Sequence, residues 1–133
     1  MRIPILKLRN ILLASIQVDL TDQDAMVFQR NLVEEVSNTE CTGVVIDITA
    51  MDMVDSFLAR MINETASMAR LQGAQVVVCG MQPCVALTLT EMGRELIGVE
   101  AALNLEQGMD KIEALLASRD GARSSVKEGN PHE

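Results

Sequence analysis

The chain has 133 residues, 48% of them hydrophobic, and its 19 acidic and 11 basic residues give a net charge of −8. This length and apolar content suit one domain with its own core, so neither disorder nor a disulfide framework is expected. The negative charge repels nucleic-acid phosphates and anionic lipid headgroups, which excludes both classes of partner. No apolar run reaches the roughly 20 residues that span a bilayer, so we expect no membrane segment.

Residues that carry most enzyme chemistry are few in this sequence. The only histidine, His132, is the penultimate residue, and a fraying chain end does not hold a proton shuttle in place. Three cysteines without Cys-x-x-Cys spacing, and no signal sequence, favour a reducing, cytoplasmic setting in which they fill the core. No phosphate-binding glycine loop, nucleophile elbow or zinc-protease motif occurs. A zinc site lacks ligands, although a carboxylate-bound metal stays open; we expect no cofactor, no metal and no catalysis.

The N-terminal residues have the pattern of a β-hairpin. Apolar runs at 3–8 and 11–18 flank Arg9 and Asn10. This is the spacing of a two-residue turn, with Asn10 tolerating the positive φ. Because proline cannot donate to a ladder on both sides, Pro4 favours an edge strand.

An amphipathic helix follows the hairpin. Thr21 and Asp24 have the spacing of a capping box, in which each side chain bonds the backbone N–H of the other residue. Apolar residues then recur at helical spacing as far as Ser37, which predicts one buried face. That face consists of Ala25, Phe28, Leu32, Val33 and Val36.

A strand and a long helix come next. Residues 44–48 form a continuous, largely β-branched run, which is typical of a strand covered on both faces in a parallel sheet. A helix then begins at Asp55 or Ser56 and reaches about Gln72, where Gly73 is free to take the left-handed C-terminal position. The predicted buried face of this helix consists of Leu58, Met61, Ile62, Thr65, Ala69 and Leu71.

Two more strands and a short helix are predicted after that helix. Residues 75–80 form a second buried strand. Pro83 opens a helix that runs to about Met92, and Gly93 ends it. A weaker strand is predicted at 96–99.

The last helix begins at a second capping pattern, formed by Asn104 and Gln107. Its predicted buried stripe consists of Leu105, Met109, Ile112, Leu115 and Leu116. Residues 118–133 have no periodicity and are rich in glycine, serine and charge. They predict a flexible polar tail after a single domain at 1–117.

The order of these elements indicates the fold class. A hairpin followed by alternating helices and strands predicts an α/β fold. In it a mixed sheet, largely parallel in its later strands, has helices packed on it.

Two carboxylates lie where open α/β sheets place their sites. Asp47 ends the central strand and Asp55 starts the next helix, so both lie at the carboxyl edge of the sheet. Either they belong to a binding or catalytic site, or Asp47 bonds loop amides and Asp55 caps the helix. The capping preference of aspartate favours the second alternative.

Other adaptable or reactive side chains also have a structural alternative. Met51 and Met53 lie in the predicted exposed loop and could form a contact surface, whereas methionines usually fill cores. Cys84 follows Pro83 in the first turn of a helix, where the pKa of a thiol can fall. A buried, inert thiol is the favoured interpretation of Cys84.

Ser56 stands where the long helix begins. Serine and aspartate both satisfy the unpaired N–H groups of a first turn, so capping alone explains Ser56. The segment 47-DITAMDMVDSF-57 also resembles the STAS domain family, the fold of bacterial anti-sigma-factor antagonists. In that family a strand ends in Asp-Leu-Ser or Asp-Ile-Thr, and a loop leads to Asp-Ser at the next helix. The resemblance implies the STAS fold for this chain and phosphorylation of Ser56.

Longer stretches resemble the stressosome branch of that family. They are 4-PILKL-8, 52-DMVDSF-57, 73-GAQVVVCGMQPCVALTL-89 and 105-LEQG-108. Many antagonists of this fold read Asp-Ser-Ser-Gly, whereas Phe57 follows Ser56 here, as in the stressosome branch. The resemblance implies that Asp55 is the neighbour and cap of the phosphorylated serine and that Asp47 organises the loop. It also implies that Thr88 is similar in position to a second phosphorylated threonine of the larger co-scaffold paralogues.

The resemblance further implies a set of partners and a function. The partners are a serine kinase and a phosphatase that act on Ser56, together with paralogous STAS co-scaffolds that carry sensor domains, in a large hetero-oligomer. The chain would be a non-catalytic scaffold and antagonist that holds the kinase until Ser56 is phosphorylated. A plain anti-sigma-factor antagonist stays open as an alternative, as does a small ligand-binding domain or enzyme at the sheet edge.

Overall fold

The fold is built on one sheet of mixed strand direction. The computed structural model describes residues 3–17, 20–91 and 99–128, with residues 120–128 as backbone only. The elements of these residues are β1 (Ile5–Leu8), β2 (Ile11–Ser15), α1 (Asp22–Thr39), β3 (Gly43–Asp47), α2 (Ser56–Leu71), β4 (Gln75–Cys79), α3 (Pro83–Glu91), β5 (Glu100–Ala102) and α4 (Leu105–Glu128). The strands lie in the order β1-β2-β3-β4-β5, with β1 antiparallel to β2 and the other pairs parallel. The predicted α/β class and mixed sheet are confirmed.

The N-terminal hairpin is confirmed, and it places β1 at the edge of the sheet. Leu8 pairs with Ile11 across the two-residue turn. The predicted positive φ at Asn10 is wrong, because Arg9 is the left-handed residue, with φ 59°. The Asn10 carbonyl accepts the Thr42 N–H at 2.9 Å, which ties the turn to the segment that leads into β3.

Helix α1 begins with the predicted capping box. The Thr21 hydroxyl accepts the Asp24 N–H at 3.0 Å, and the Asp24 carboxylate accepts the Thr21 N–H at 3.3 Å. The helix continues past Ser37 to Thr39, and Val33 of the predicted buried face is half-buried. Helix α1 packs against α2 on one face of the sheet.

Strand β3 lies at the centre of the sheet and is buried along its whole length, as predicted. Helix α2 follows it with Asp55 as the N-cap, and Gly73 takes the left-handed conformation with φ 97°. The predicted burial of Leu71 is wrong, since this side chain is 88% exposed. Leu71 follows the buried Ala69 by two residues, and two residues turn about 200° around a helix axis, which directs Leu71 to solvent.

The sheet separates two apolar cores. Ile46 of β3 faces the larger core, which α1, α2 and α3 cover. Val45 faces the smaller core, which contains Ile112 of α4. A β carbon on Gly108 of α4 would lie 3.0 Å from the β carbon of Cys79, so this glycine lets α4 lie close on the sheet.

The last strand of the sheet lies later in the chain than predicted. Strand β5 is Glu100–Ala102, whereas residues 96–98 of the predicted strand lie outside the described residues. Met92 and Gly93, the predicted end of α3, also lie outside them.

Helix α4 is longer than predicted. Asn104 Oδ1 accepts the Gln107 N–H at 2.8 Å at its start, and the helix continues to Glu128, past the predicted end of regular structure before residue 118. No proline interrupts the chain there before residue 131, and its alanine, arginine, lysine and glutamate residues favour helix. The division into a domain at 1–117 and a flexible tail at 118–133 stays a prediction.

Candidate phosphoacceptor site

The loop between β3 and α2 presents Ser56, and Asp47 holds the start of this loop. Asp47 is 9% exposed, and its carboxylate accepts the Thr49 N–H at 3.0 Å and the Thr49 hydroxyl at 2.5 Å. Gln82 Nε2 donates to the Thr49 carbonyl at 2.8 Å from the segment before α3. Asp47 therefore bonds a loop amide, which is the structural alternative drawn from the sequence. Its support of a phosphorylation site stays a prediction.

The two methionines of this loop have opposite environments. Met51 is 3% exposed and belongs to the larger core, so its predicted exposed position is wrong. Its N–H donates to the Ile48 carbonyl at 2.9 Å in a tight turn, which brings the residue back over the core. Met53 is 78% exposed and remains available for contact with another molecule.

Asp55, and not Ser56, caps helix α2. The Asp55 backbone is extended, with φ −92° and ψ 178°, and its carboxylate accepts the Leu58 N–H at 2.8 Å. Ser56 is the first helical residue and is exposed, and its hydroxyl makes no hydrogen bond with the described residues. Capping therefore does not explain Ser56, whose Oγ is open to solvent.

Two open grooves are lined in part by Asp55 and Phe57, the chain neighbours of Ser56. The first has a volume of about 290 Å³ and is lined by Leu20, Met51, Met53, Val54, Asp55 and Leu58. The second has a volume of about 360 Å³ and is lined by Met26, Phe57, Arg60, Met61 and Glu64. Met53 borders the first groove and Met26, 47% exposed, borders the second, so each groove has an apolar rim. Open grooves of this kind suit contact with a protein surface better than enclosure of a small metabolite.

Arg60 is a site residue that the sequence interpretation missed. It lies one helical turn after Ser56, and its guanidinium carbon is 6.0 Å from the centroid of the Phe57 ring. The i, i+4 spacing puts Ser56 and Arg60 on one face of α2, and this spacing is visible in the sequence. N-terminal to Ser56 are the exposed residues Asp52 and Asp55. Ser56 therefore has exposed acidic residues before it in the chain and an exposed arginine one turn after it.

The cysteines fall into two classes. Cys41 and Cys79 are buried, and burial raises the pKa of both thiols, that of Cys79 to about 11 with a further contribution from the Asp47 charge. Cys84 is exposed in the first turn of α3, so its predicted burial is wrong. Its thiol donates to the Asp52 carbonyl at 3.3 Å and links α3 to the loop before Ser56. Cys84 lies over this loop instead of the core, which accounts for its exposure.

Thr88 has a different environment from Ser56. It is half-buried in α3, and its hydroxyl donates to the Cys84 carbonyl at 2.8 Å. A kinase would have to compete with this bond to the preceding helical turn. Ser56 is therefore the more accessible of the two predicted acceptors.

The carboxylates near the site do not converge on one point. Asp47 bonds Thr49 and Asp55 bonds Leu58. Across residues 3–17, 20–91 and 99–128, no three histidine, cysteine, aspartate or glutamate side chains are grouped to hold a metal ion. In the same ranges no helix combines the length and apolar character that crossing a membrane requires.

Comparison with known sequences places this geometry in a family. The sequence model of the STAS domain matches residues 2–105. The chain belongs to the STAS domain family. The five strands and four helices of the described residues are accordingly a STAS fold, as predicted.

Individual STAS proteins that resemble this chain include RsbS and a stressosome chain. A serine-to-glutamate variant of RsbS from Moorella thermoacetica is 39% identical, with a TM-score of 0.80 over 88% of this chain and 99% of that one. A chain from a structure of the stressosome, described as a signal integration and transduction hub, is 41% identical, with a TM-score of 0.76 over 85% of this chain and 98% of that one. The RsbT co-antagonist protein RsbRA of Bacillus subtilis (strain 168) is 28% identical over 100 residues, which are 75% of this chain and 36% of that relative's length. The predicted resemblance to stressosome STAS proteins is confirmed.

Proposed function

We propose that this protein is a non-catalytic scaffold and antagonist of a bacterial stressosome, which holds a serine kinase and releases it when Ser56 is phosphorylated. The observation that carries this proposal is the position of Ser56, an exposed hydroxyl on the first residue of α2, where Asp55 already provides the cap. The similarity to RsbS and to a stressosome chain supports the stress-response setting.

Phosphorylation of Ser56 leaves the fold intact in this proposal. The Ser56 hydroxyl gives up no hydrogen bond with the described residues, and Asp55 keeps its bond to the Leu58 N–H. The positive end of the helix dipole favours an added anion. Arg60 lies one helical turn after Ser56, and residues at this spacing are neighbours on a helix surface. Its guanidinium can therefore form a charge-assisted hydrogen bond with the phosphate. Helix α2 therefore carries the phosphate without melting.

The switch is a change in the surface that the kinase contacts. A phosphate adds about −1.5 to −2 charges at neutral pH to a surface that already carries Asp52 and Asp55. Met53 and Met26 form apolar rims on the two grooves that Asp55 and Phe57, the chain neighbours of Ser56, help to line. A kinase surface packed on these rims meets a strongly hydrated dianion, and desolvation and repulsion then weaken binding.

The kinase follows from the acceptor chemistry of Ser56, and the other partners follow from the resemblance to stressosome proteins. The chain has an acceptor hydroxyl and no phosphate-binding glycine loop in its sequence, so it is the substrate, and the kinase supplies ATP and magnesium. A phosphatase resets Ser56, and Thr88 is a second acceptor of lower rank. Sensor-bearing STAS paralogues, of which the co-antagonist RsbRA is the related type, would be its co-scaffolds in a large cytoplasmic hetero-oligomer.

Mapping the phosphate tests this proposal. The chain is incubated with its cognate serine kinase and ATP, and the intact mass and the modified peptide are measured. We expect one phosphate on Ser56 and none on Ser56→Ala, with Thr88→Ala as the matched variant that is still modified. Modification of Ser56→Ala at the wild-type rate would move the acceptor elsewhere. Direct binding of an anti-sigma factor without any kinase would support a plain antagonist instead.

A further inference from the structure

The guanidinium of Arg60 is an exposed cation that lies over an aromatic ring. The centroid of the Phe57 ring is 6.0 Å from the guanidinium carbon. Across residues 3–17, 20–91 and 99–128, no ion pair or hydrogen bond involves the Arg60 side chain. Glu64, one turn further along α2, lines the same groove and forms no ion pair with it. Within the described part of the chain, Arg60 can therefore bind a new anion without giving up an existing ion pair.

The order of charges along α2 favours a phosphate on Ser56 over Glu64 as the partner of Arg60. The phosphate stands four residues before the arginine, whereas Glu64 stands four residues after it. An acidic group that precedes a basic one at this spacing is the more stable order, since it matches the helix dipole. The phosphate also carries about −1.5 to −2 charges, more than a carboxylate does. Both effects direct the guanidinium toward residue 56.

The backbone at the start of α2 offers further donors to the same phosphate. The Leu58 N–H donates to the Asp55 carboxylate at 2.8 Å, and the Ala59 N–H donates to the Asp55 carbonyl at 3.0 Å. The N–H groups of Ser56 and Phe57 have no acceptor among the described residues. These two groups lie in the same first turn as the phosphate, at the positive end of the helix dipole. They can bind its oxygens together with the guanidinium.

We propose that Arg60 is a positioning residue for the phosphate on Ser56: its guanidinium leaves the Phe57 ring and bonds the phosphate, which slows dephosphorylation. This inference rests on the proposed phosphorylation of Ser56. In dephosphorylation water attacks phosphorus, the bond to Ser56 Oγ breaks, and Oγ takes a proton to restore the hydroxyl, with inorganic phosphate as the product. A phosphatase must first free the phosphate from Arg60, so a contact present only before the reaction raises the barrier. The bond thus prolongs the state in which the kinase is released.

The same movement changes the groove that Phe57 helps to line. In the unmodified chain the guanidinium lies over the ring, and Arg60 lines this groove with Met26 and Met61. When the guanidinium turns to the phosphate, the ring and the two methionine side chains lose a cation from their surface. Phosphorylation therefore changes the polarity of this groove as well as the charge at residue 56.

Asp52 and Asp55 oppose the effect of Arg60 on the phosphate. Both carboxylates are exposed and precede the acceptor serine in the chain, and like charges raise the pKa of a phosphate, whereas a nearby cation lowers it. Glu64 of α2 adds a negative charge to the groove, and Cys84 of α3 contacts the loop through the Asp52 carbonyl. Because substitution of Arg60 leaves these residues in place, the difference between variants measures the contribution of Arg60.

Phosphorus NMR of the full chain with phosphoserine encoded at position 56 tests the contact without any kinase. The second pKa of the phosphate, about 6 when free, should be about 0.5 unit higher in Arg60→Gln than in the wild type, the effect of one exposed ion pair. Arg60→Lys should restore most of the difference. Arg70→Gln is the matched control and should match the wild type, since Arg70 is exposed on the same helix, about 21 Å from Ser56 along its axis. Equal pKa values in the wild type and Arg60→Gln overturn the proposal.

Release of inorganic phosphate from the same proteins tests the effect on dephosphorylation. With a nonspecific phosphoserine phosphatase, release from Arg60→Gln should be about threefold faster than from the wild type, and release from Arg70→Gln should be unchanged. Thermal melts check that each variant is folded. Equal release rates for the wild type and Arg60→Gln overturn the proposal and leave kinase release at Ser56 standing. A cognate kinase that does not modify Ser56 rejects the proposed function instead, and it alters neither measurement on the encoded phosphoserine.

Discussion

At the start of α2, the side chain of either Asp55 or Ser56 could cap the helix. Asp55 accepts the Leu58 N–H, and the neighbouring hydroxyl is left exposed. Serine and aspartate cap helices about equally well, so the sequence admits either one. The choice depends on where the extended backbone ends, and Asp55 is the last extended residue. The buried Met51 and Val54 anchor the loop that determines this position.

Removing the cap measures its contribution. Asp55→Ala should lower the free energy of unfolding by about 1 kcal/mol, the usual cost of losing a capping side chain. Asp52→Ala, which removes an exposed carboxylate from the same loop, should change it by less than about 0.5 kcal/mol. Chemical denaturation measures both. Equal losses would show that local charge, and not the bond to Leu58, stabilises the helix.

At the scale of elements, the end of β4 and the start of α3 hold the loop that presents Ser56. Gly80 directly follows β4 with φ 78°. A β carbon at Gly80 would overlap the Thr49 side chain and lie 3.0 Å from the Asp47 carboxylate. The bonds between Asp47 and Thr49 therefore require a residue without a side chain at position 80.

Two glycine substitutions separate this contact from backbone strain. Gly73→Ala places a side chain at φ 97° with no atom within 4 Å of its β carbon, so it should cost about 1–2 kcal/mol for the left-handed backbone alone. Gly80→Ala carries a similar backbone cost and also displaces Thr49, which should add about 1–3 kcal/mol. Thermal or chemical unfolding of the two variants measures the difference. Equal destabilisation would contradict a close contact between Gly80 and the loop.

For the whole molecule, the sequence predicts what is local and misses what depends on distant packing. Periodicity and spacing predicted the α/β order, the hairpin, the capping box at Thr21 and the central strand, because each rests on neighbouring residues. The exposure of Leu71 and Cys84 and the burial of Met51 were wrong, because they depend on which elements cover these side chains. Arg60 was missed for another reason. Its spacing from Ser56 is visible in the sequence, but its relevance depends on the Ser56 hydroxyl not being used to cap the helix.

Burial of Cys79 makes the free energy of unfolding of the whole molecule decrease with pH in the alkaline range. The pKa of this thiol is about 11 in the folded chain, against an ordinary value of 9.0. Above pH 9 the unfolded chain binds fewer protons than the folded chain, so stability should fall between about pH 9 and 11. Denaturant midpoints across this window should fall less steeply for Cys79→Ala, whereas Cys84→Ala, at an exposed thiol, should match the wild type. An unchanged slope in Cys79→Ala would contradict this assignment.

Kinase retention by Ser56 variants is the most direct measurement of the proposed switch. Wild type, Ser56→Ala and Ser56→Asp are immobilised, and retention of the cognate kinase is measured with and without ATP. All three should have unfolding free energies within about 1 kcal/mol, because aspartate is favourable in a first helical turn. The wild type should release the kinase when ATP is added, Ser56→Ala should keep it, and Ser56→Asp should retain little in either condition. Equal retention of the kinase by Ser56→Ala and Ser56→Asp would contradict a switch at Ser56.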